Sequence, residues 1–121
     1  MLIRRIALAV TLALGGTQAA NAQVLTGMEL QQRCSNPKGS AESLHCAAYM
    51  LGFLDGYEFS LHTAQKAFCL PSDVTVGQAR LITNKFMSEH PDELHKSAPA
   101  IIVRALHIAF ACKRSDEAGR W

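Results

Sequence analysis

Four cysteines, Cys34, Cys46, Cys69 and Cys112, follow an apolar leader, and together these features restrict the chain to a small exported domain closed by disulfides. Met1–Arg5 supplies a basic start, Ile6–Leu14 an apolar stretch and Ala20-Asn21-Ala22 a small-x-small cleavage site. Residues 1–22 therefore read as a signal peptide, and the mature chain is expected to begin at Gln23. A nine-residue apolar stretch falls short of the roughly twenty residues that span a hydrocarbon core, so no stable membrane insertion is expected after cleavage.

Export also changes the charge. The full chain carries 12 Lys plus Arg against 10 Asp plus Glu, and loss of Arg4 and Arg5 with the leader leaves ten of each. A domain with no net positive field has little to neutralise phosphates with, so nucleic acid is not an expected partner. Residues 23–121 suffice for a single domain with one modest core, in which cross-links offset part of the ordering entropy. The absence of a Cys-x-x-Cys pair argues against a thioredoxin-type redox site and a zinc knuckle.

The pattern is all-α, with four to five helices in a small domain held by two disulfides. Thr26-Gly27-Met28-Glu29 is a capping box before a short helix through about Arg33. Pro37–Ser40 makes a turn, and Ser40 caps a long second helix predicted over Ala41–Lys66. Leu44, Ala47, Ala48, Leu51, Leu54, Phe59, Leu61 and Phe68 recur at mostly helical spacing, so they are expected to form the central wall of the core. Ala48, Gly52, Gly56 and Ser60 form a strip of small residues that a second helix or another subunit could approach closely.

Pro71 stops this element, and Thr75-Val76-Gly77-Gln78 caps a third helix through about Glu89. On that helix Leu81, Ile82, Lys85 and Phe86 are expected to place apolar surface about one turn apart, with Arg80 and Asn84 free to face water. His90-Pro91-Asp92-Glu93 reads as a stop followed by a short helical turn. Ser97-Ala98-Pro99 opens the last helix, whose expected buried face is Ile101, Ile102, Ala105, Leu106, Ile108, Ala109 and Cys112, with Arg104 and Lys113 outside. A polar tail runs from about residue 113 to Trp121.

This order of elements predicts the cysteine pairing. Cys34 and Cys46 meet at one corner, where the first helix ends and the second begins. Cys69 lies at the other end of the second helix, and an up-and-back path through the last two helices returns Cys112 to it. A Cys46–Cys69 bond would have to span most of a straight helix, at about 1.5 Å per residue, and exceeds the reach of a disulfide. Cys34–Cys46 and Cys69–Cys112 are the expected bonds, contributing roughly 3 and 4 kcal/mol by loop-closure arithmetic.

Catalytic chemistry is poorly represented. The five histidines are scattered, no His-Glu-x-x-His occurs, and the four cysteines are used in disulfides, so no metal, cofactor or thiol nucleophile is expected. Glycine-rich phosphate cradles and Gly-x-Ser-x-Gly elbows are also missing. Asp55, Glu58 and His62 share a helical face, which reads first as a solvated surface.

Four segments in order, Cys46-Ala-Ala-Tyr49-Met-Leu-Gly52-Phe-Leu-Asp55-Gly56, Cys69-Leu-Pro71 with Val74-Thr75-Val76-Gly77-Gln78, His90-Pro91-Asp-Glu-Leu94-His95, and Ala105-Leu106 through Ala109-Phe110-Ala111-Cys112, resemble the Tai-type immunity family of type VI secretion. Family members often carry Pro before the last cysteine, where this chain has Ala111. The resemblance implies a periplasmic, non-catalytic helical protein, often a homodimer, that binds a peptidoglycan amidase effector and blocks its Cys-His cleft.

For contact with such a partner, the polar, proline-bounded connection from Glu89 to Pro99 is the leading expectation, with His90, Asp92, Glu93, His95 and Lys96 as candidate partner-binding residues inferred from exposure. Two other classes are weighed beside it. A periplasmic acid-stress chaperone of the HdeA type is also small, helical and disulfide-bonded, and its histidines could change charge near pH 6. An enzyme would need a buried polar cleft uniting residues such as Asp55 and Glu58 with a histidine.

Overall fold

The computed structural model describes residues 24–60 and 66–113. The leader, its cleavage site, Leu61, His62 and the tail beyond Lys113 lie outside the described residues. Four helices follow in order: α1 (Gly27–Cys34), α2 (Ala41–Ser60), α3 (Val76–Glu89) and α4 (Ala98–Ala109), with a 3-10 turn at Pro91–Glu93 between the last two. The architecture is the expected all-α one.

Local chemistry sets the helix starts. Both capping boxes are present: the Glu29 amide donates to Thr26 Oγ1 and the Thr26 amide to Glu29 Oε2, and Thr75 and Gln78 repeat the exchange. Each box satisfies helix-terminal N–H groups that would otherwise lack partners. Ser40 Oγ accepts from the Ser43 amide at 3.2 Å and so caps α2. Gly39, at φ +87°, makes the turn before it, in a backbone region that other residues rarely adopt.

The core gathers Leu30, Met50, Phe68, Met87, Ile102 and Leu106 from every described helix and from the segment after α2. Gly27 is required where α1 starts, because a Cβ there would lie 2.9 Å from Ile101 Cγ1 and 3.0 Å from the Leu94 carbonyl oxygen.

The long helix turns the opposite way from the expected one. Ser43, Cys46 and Met50 are buried, and Phe53, Leu54 and Tyr57 pack partly against the core. Leu44, Leu51 and Phe59 are 62%, 49% and 82% exposed, and Ala48 lies outside with them. Among the described residues of the expected wall, Leu54 and Phe68 meet the core substantially and Ala47 is half-buried. The physical reason is that α2 is apolar on both faces, so periodicity alone does not select one; the Cys34–Cys46 bond turns the Cys46 face inward. Ser60 is the last helical residue before 61–65, and Lys66 is no longer helical.

On α3 the buried residues are Ala79, Thr83, Phe86 and Met87, while Leu81 is exposed. Arg80 and Asn84 do not stand free in water. Arg80 donates to Ser43 Oγ at 2.9 Å and to the Cys34 carbonyl at 2.8 Å, and Asn84 Nδ2 reaches the same carbonyl at 3.2 Å. Those groups complete hydrogen bonding at a corner where α1 ends. On α4 the buried face is Ala98, Ile101, Ile102, Ala105 and Leu106; Ile108 and Ala109 are exposed and Cys112 lies beyond the helix.

Both expected disulfides form. Cys34 and Cys46 have Cα atoms 5.1 Å apart, and Cys69 and Cys112 4.9 Å.

Candidate functional site

The connection between α3 and α4 is fastened to the start of α1. Gly27 and Met28, the first residues of α1, donate their amides to the carbonyls of Lys96 at 2.8 Å and Leu94 at 3.0 Å. The Ala98 amide returns to the Leu25 carbonyl at 2.6 Å, and Thr26 and Ser97 form an isolated antiparallel bridge. Helix-terminal donors of one element thereby fix the backbone of the other.

Its five candidate side chains divide into two groups. Glu93 is only 7% exposed, which corrects the expectation that exposure unites all five. Its carboxylate accepts from Lys96 Nζ and pairs with Arg104 Nη2, each at 3.2 Å. Burial of a carboxylate is tolerated because two cations meet it, and both cations remain partly in water. His90 is half-buried with its ring 4.3 Å from that of Phe86.

Asp92 and His95 are the exposed members, and the Asp92 carbonyl lies 2.9 Å from His95 Nδ1. The connection thus presents Asp92 and His95 outward on a base held by Glu93, Lys96 and Arg104. The tie to Arg104 was not anticipated from the sequence, because that residue belongs to the next helix; the Glu93–Lys96 spacing of three residues was the available signal.

A second exposed feature is the outward face of α2. Leu44, Ala48, Leu51 and Phe59 lie along it, and open space stands above Gly52 and Gly56. Asp55 and Glu58 are exposed on the same helix, while His62 lies outside the described residues. A shallow groove between α3 and α4, about 270 Å³ and lined by Ile82, Phe86, His90, Ala105 and Ile108, is a further apolar depression near the connection.

Among the described residues, Glu29 and Tyr49 titrate away from their ordinary values. The Thr26 amide, then the Thr26 hydroxyl, hold the Glu29 carboxyl below its ordinary value, and burial raises the Tyr49 phenol. Among the described residues no group of three His, Cys, Asp or Glu side chains could hold a metal ion, and every cysteine is in a disulfide. No helix among the described residues is long and apolar enough to cross a membrane.

The family model for Rap1a immunity proteins matches residues 26–112, from the first capping threonine to the last cysteine. No curated protein matches, and no solved structure matches.

Proposed function

The chain belongs to the family of Rap1a immunity proteins, the Tai type that its motifs resemble, and from that membership we propose that it binds a peptidoglycan amidase effector of type VI secretion and blocks its cleft sterically. The match across both disulfides and all four helices carries this reading. Inhibition by occupancy needs no catalytic group on the inhibitor. It needs a surface that loses little freedom on binding, because less ordering entropy then opposes the contact energy.

The connection from Glu89 to Pro99 is the proposed contact element. Asp92 and His95 reach the partner, His90 borders them, and Glu93 with Lys96 keeps the backbone in place. The protein acts in the periplasm, exported by residues 1–22 and beginning at Gln23 after cleavage. Two copies associate through the outward face of α2, where exposed Leu44, Leu51 and Phe59 gain burial and Gly52 and Gly56 allow close backbone approach.

The test is to express the chain in the periplasm, recover partners under non-reducing conditions and assay a captured amidase for cleavage of peptidoglycan crosslinks. Stoichiometric loss of amidase activity, weakened by Asp92→Arg, is the expected result. Failure to bind any amidase of this class, together with suppression of client aggregation only on acidification, rejects the reading in favour of the acid-stress chaperone.

A further inference from the structure

The two disulfides sit in opposite environments. Cys34 and Cys46 are 3% and 0% exposed, and the Cys34 carbonyl is covered by Arg80 and Asn84. Cys69 is exposed and Cys112 half-buried. A thiolate can displace one sulfur from another only by reaching it in line, so access largely decides which bridge exchanges.

Charge acts in the same direction. Lys66 and Lys113 lie near the outer bridge: the Lys66 carbonyl is 4.0 Å from Cys112 Sγ, and Lys113 follows Cys112 directly. The stretches 66–72 and 106–113 contain no Asp or Glu. An ammonium group that reaches the bridge draws in an anionic thiolate and stabilises the thiolate that leaves, and the first carboxylates beyond these stretches toward the C-terminus are Asp73 and Asp116.

The end closed by this bridge also has a separate anchor. Phe68 is buried with its ring stacked 4.1 Å from Tyr57, and Tyr57 Oη accepts from the amides of Ala67 at 2.7 Å and Phe68 at 3.1 Å. The Cys69 amide donates to the Phe110 carbonyl at 2.8 Å. None of these contacts runs through the sulfur atoms of the bridge.

We infer that Cys69–Cys112 is a thiol-exchange site, opened by dithiols while Cys34–Cys46 stays closed and the helices stay folded. In the step, one thiolate of the dithiol attacks Cys69 Sγ and breaks the S–S bond. Cys112 leaves with the electron pair and takes up a proton. The second thiol of the reagent then displaces Cys69 from the mixed disulfide, so the dithiol is oxidised to its own disulfide and the protein gains two thiols.

Kinetic trapping tests this on the oxidised, folded chain. It is incubated with dithiothreitol, quenched with N-ethylmaleimide at intervals and mapped by peptide mass, with far-ultraviolet circular dichroism followed in parallel. Labels are expected on Cys69 and Cys112 at least about tenfold faster than on Cys34 and Cys46, with helicity retained after the first pair opens. A Lys66→Glu, Lys113→Glu variant is expected to slow the first phase several-fold and leave the second unchanged. Equal rates for the two bridges, earlier opening of Cys34–Cys46, or loss of helicity in the first phase would overturn the inference; an unchanged first phase in the charge-reversed variant would remove the role given to the lysines.

Discussion

The two bridged ends use one bond type for different purposes. At the Cys34–Cys46 corner the sulfurs are core atoms, and α1, α2 and α3 converge on a carbonyl that receives Arg80 and Asn84. At the Cys69–Cys112 end one cysteine is exposed and the other half-buried, and burial is supplied by Phe68 against Tyr57. A cross-link limits the unfolded chain wherever it lies, but only the first is also part of the packing. Covalent connectivity therefore does not by itself show what holds an end together.

The sharpest way to break this contrast is Phe68→Ala. Emptying that site should cost about 3–5 kcal/mol with the outer bridge intact, read from urea unfolding under oxidising conditions. A loss below about 1 kcal/mol would mean that the bond, not the ring, secures the end. Arg80→Ala comes next, at about 2 kcal/mol, because it removes a charged donor from both the Cys34 carbonyl and Ser43. If Arg80→Ala proved neutral, the corner would not depend on that cap.

Leu51→Asp extends the comparison to the two faces of α2. Monomer stability should change by less than about 0.5 kcal/mol, whereas Met50→Ala on the inner face should cost about 2–5 kcal/mol. Light-scattering mass checks the accompanying proposal: the wild type should be a dimer and Leu51→Asp a monomer. Identical masses for the two would reject pairing through this face.

The smallest effect concerns the α1 cap. Glu29 has its folded pKa lowered by Thr26, so its contribution is complete above the ordinary value of 4.5 and is lost as pH falls through the lower folded value. Glu29→Gln should flatten the acid side of the stability profile only there. An unchanged acid limb would show that the cap does not depend on the carboxylate charge.

The parts of this fold that were legible in the sequence are those decided locally. Thr26 with Glu29 and Thr75 with Gln78 start helices through contacts three residues apart, and Pro91 and Pro99 punctuate the chain by their own geometry. The cysteine pairing was readable because Cys34 and Cys46 meet where α1 gives way to α2, which leaves Cys69 for Cys112, although the straight helix expected between Cys46 and Cys69 ends at Ser60. What escaped was set by distant partners. The orientation of α2 depends on packing around Cys46 and Met50, since Leu44 and Leu51 satisfy helical periodicity equally well on the outside.

Arg80 and Asn84 read as surface residues because the carbonyl they cap belongs to Cys34, far back in the chain. The candidate connection shows the same division. Its turn at Pro91 was readable, but its attachment to Gly27 and Met28 and the Glu93–Arg104 pair were not.

The most direct measurement is survival of cells that export a peptidoglycan amidase effector of the type VI class, with and without this chain in the same periplasm. Protection that requires the folded, oxidised protein and falls with Asp92→Arg at equal abundance is the predicted result. Equal lysis with and without the protein across effectors of this class, although the chain accumulates with both disulfides formed, would contradict the account.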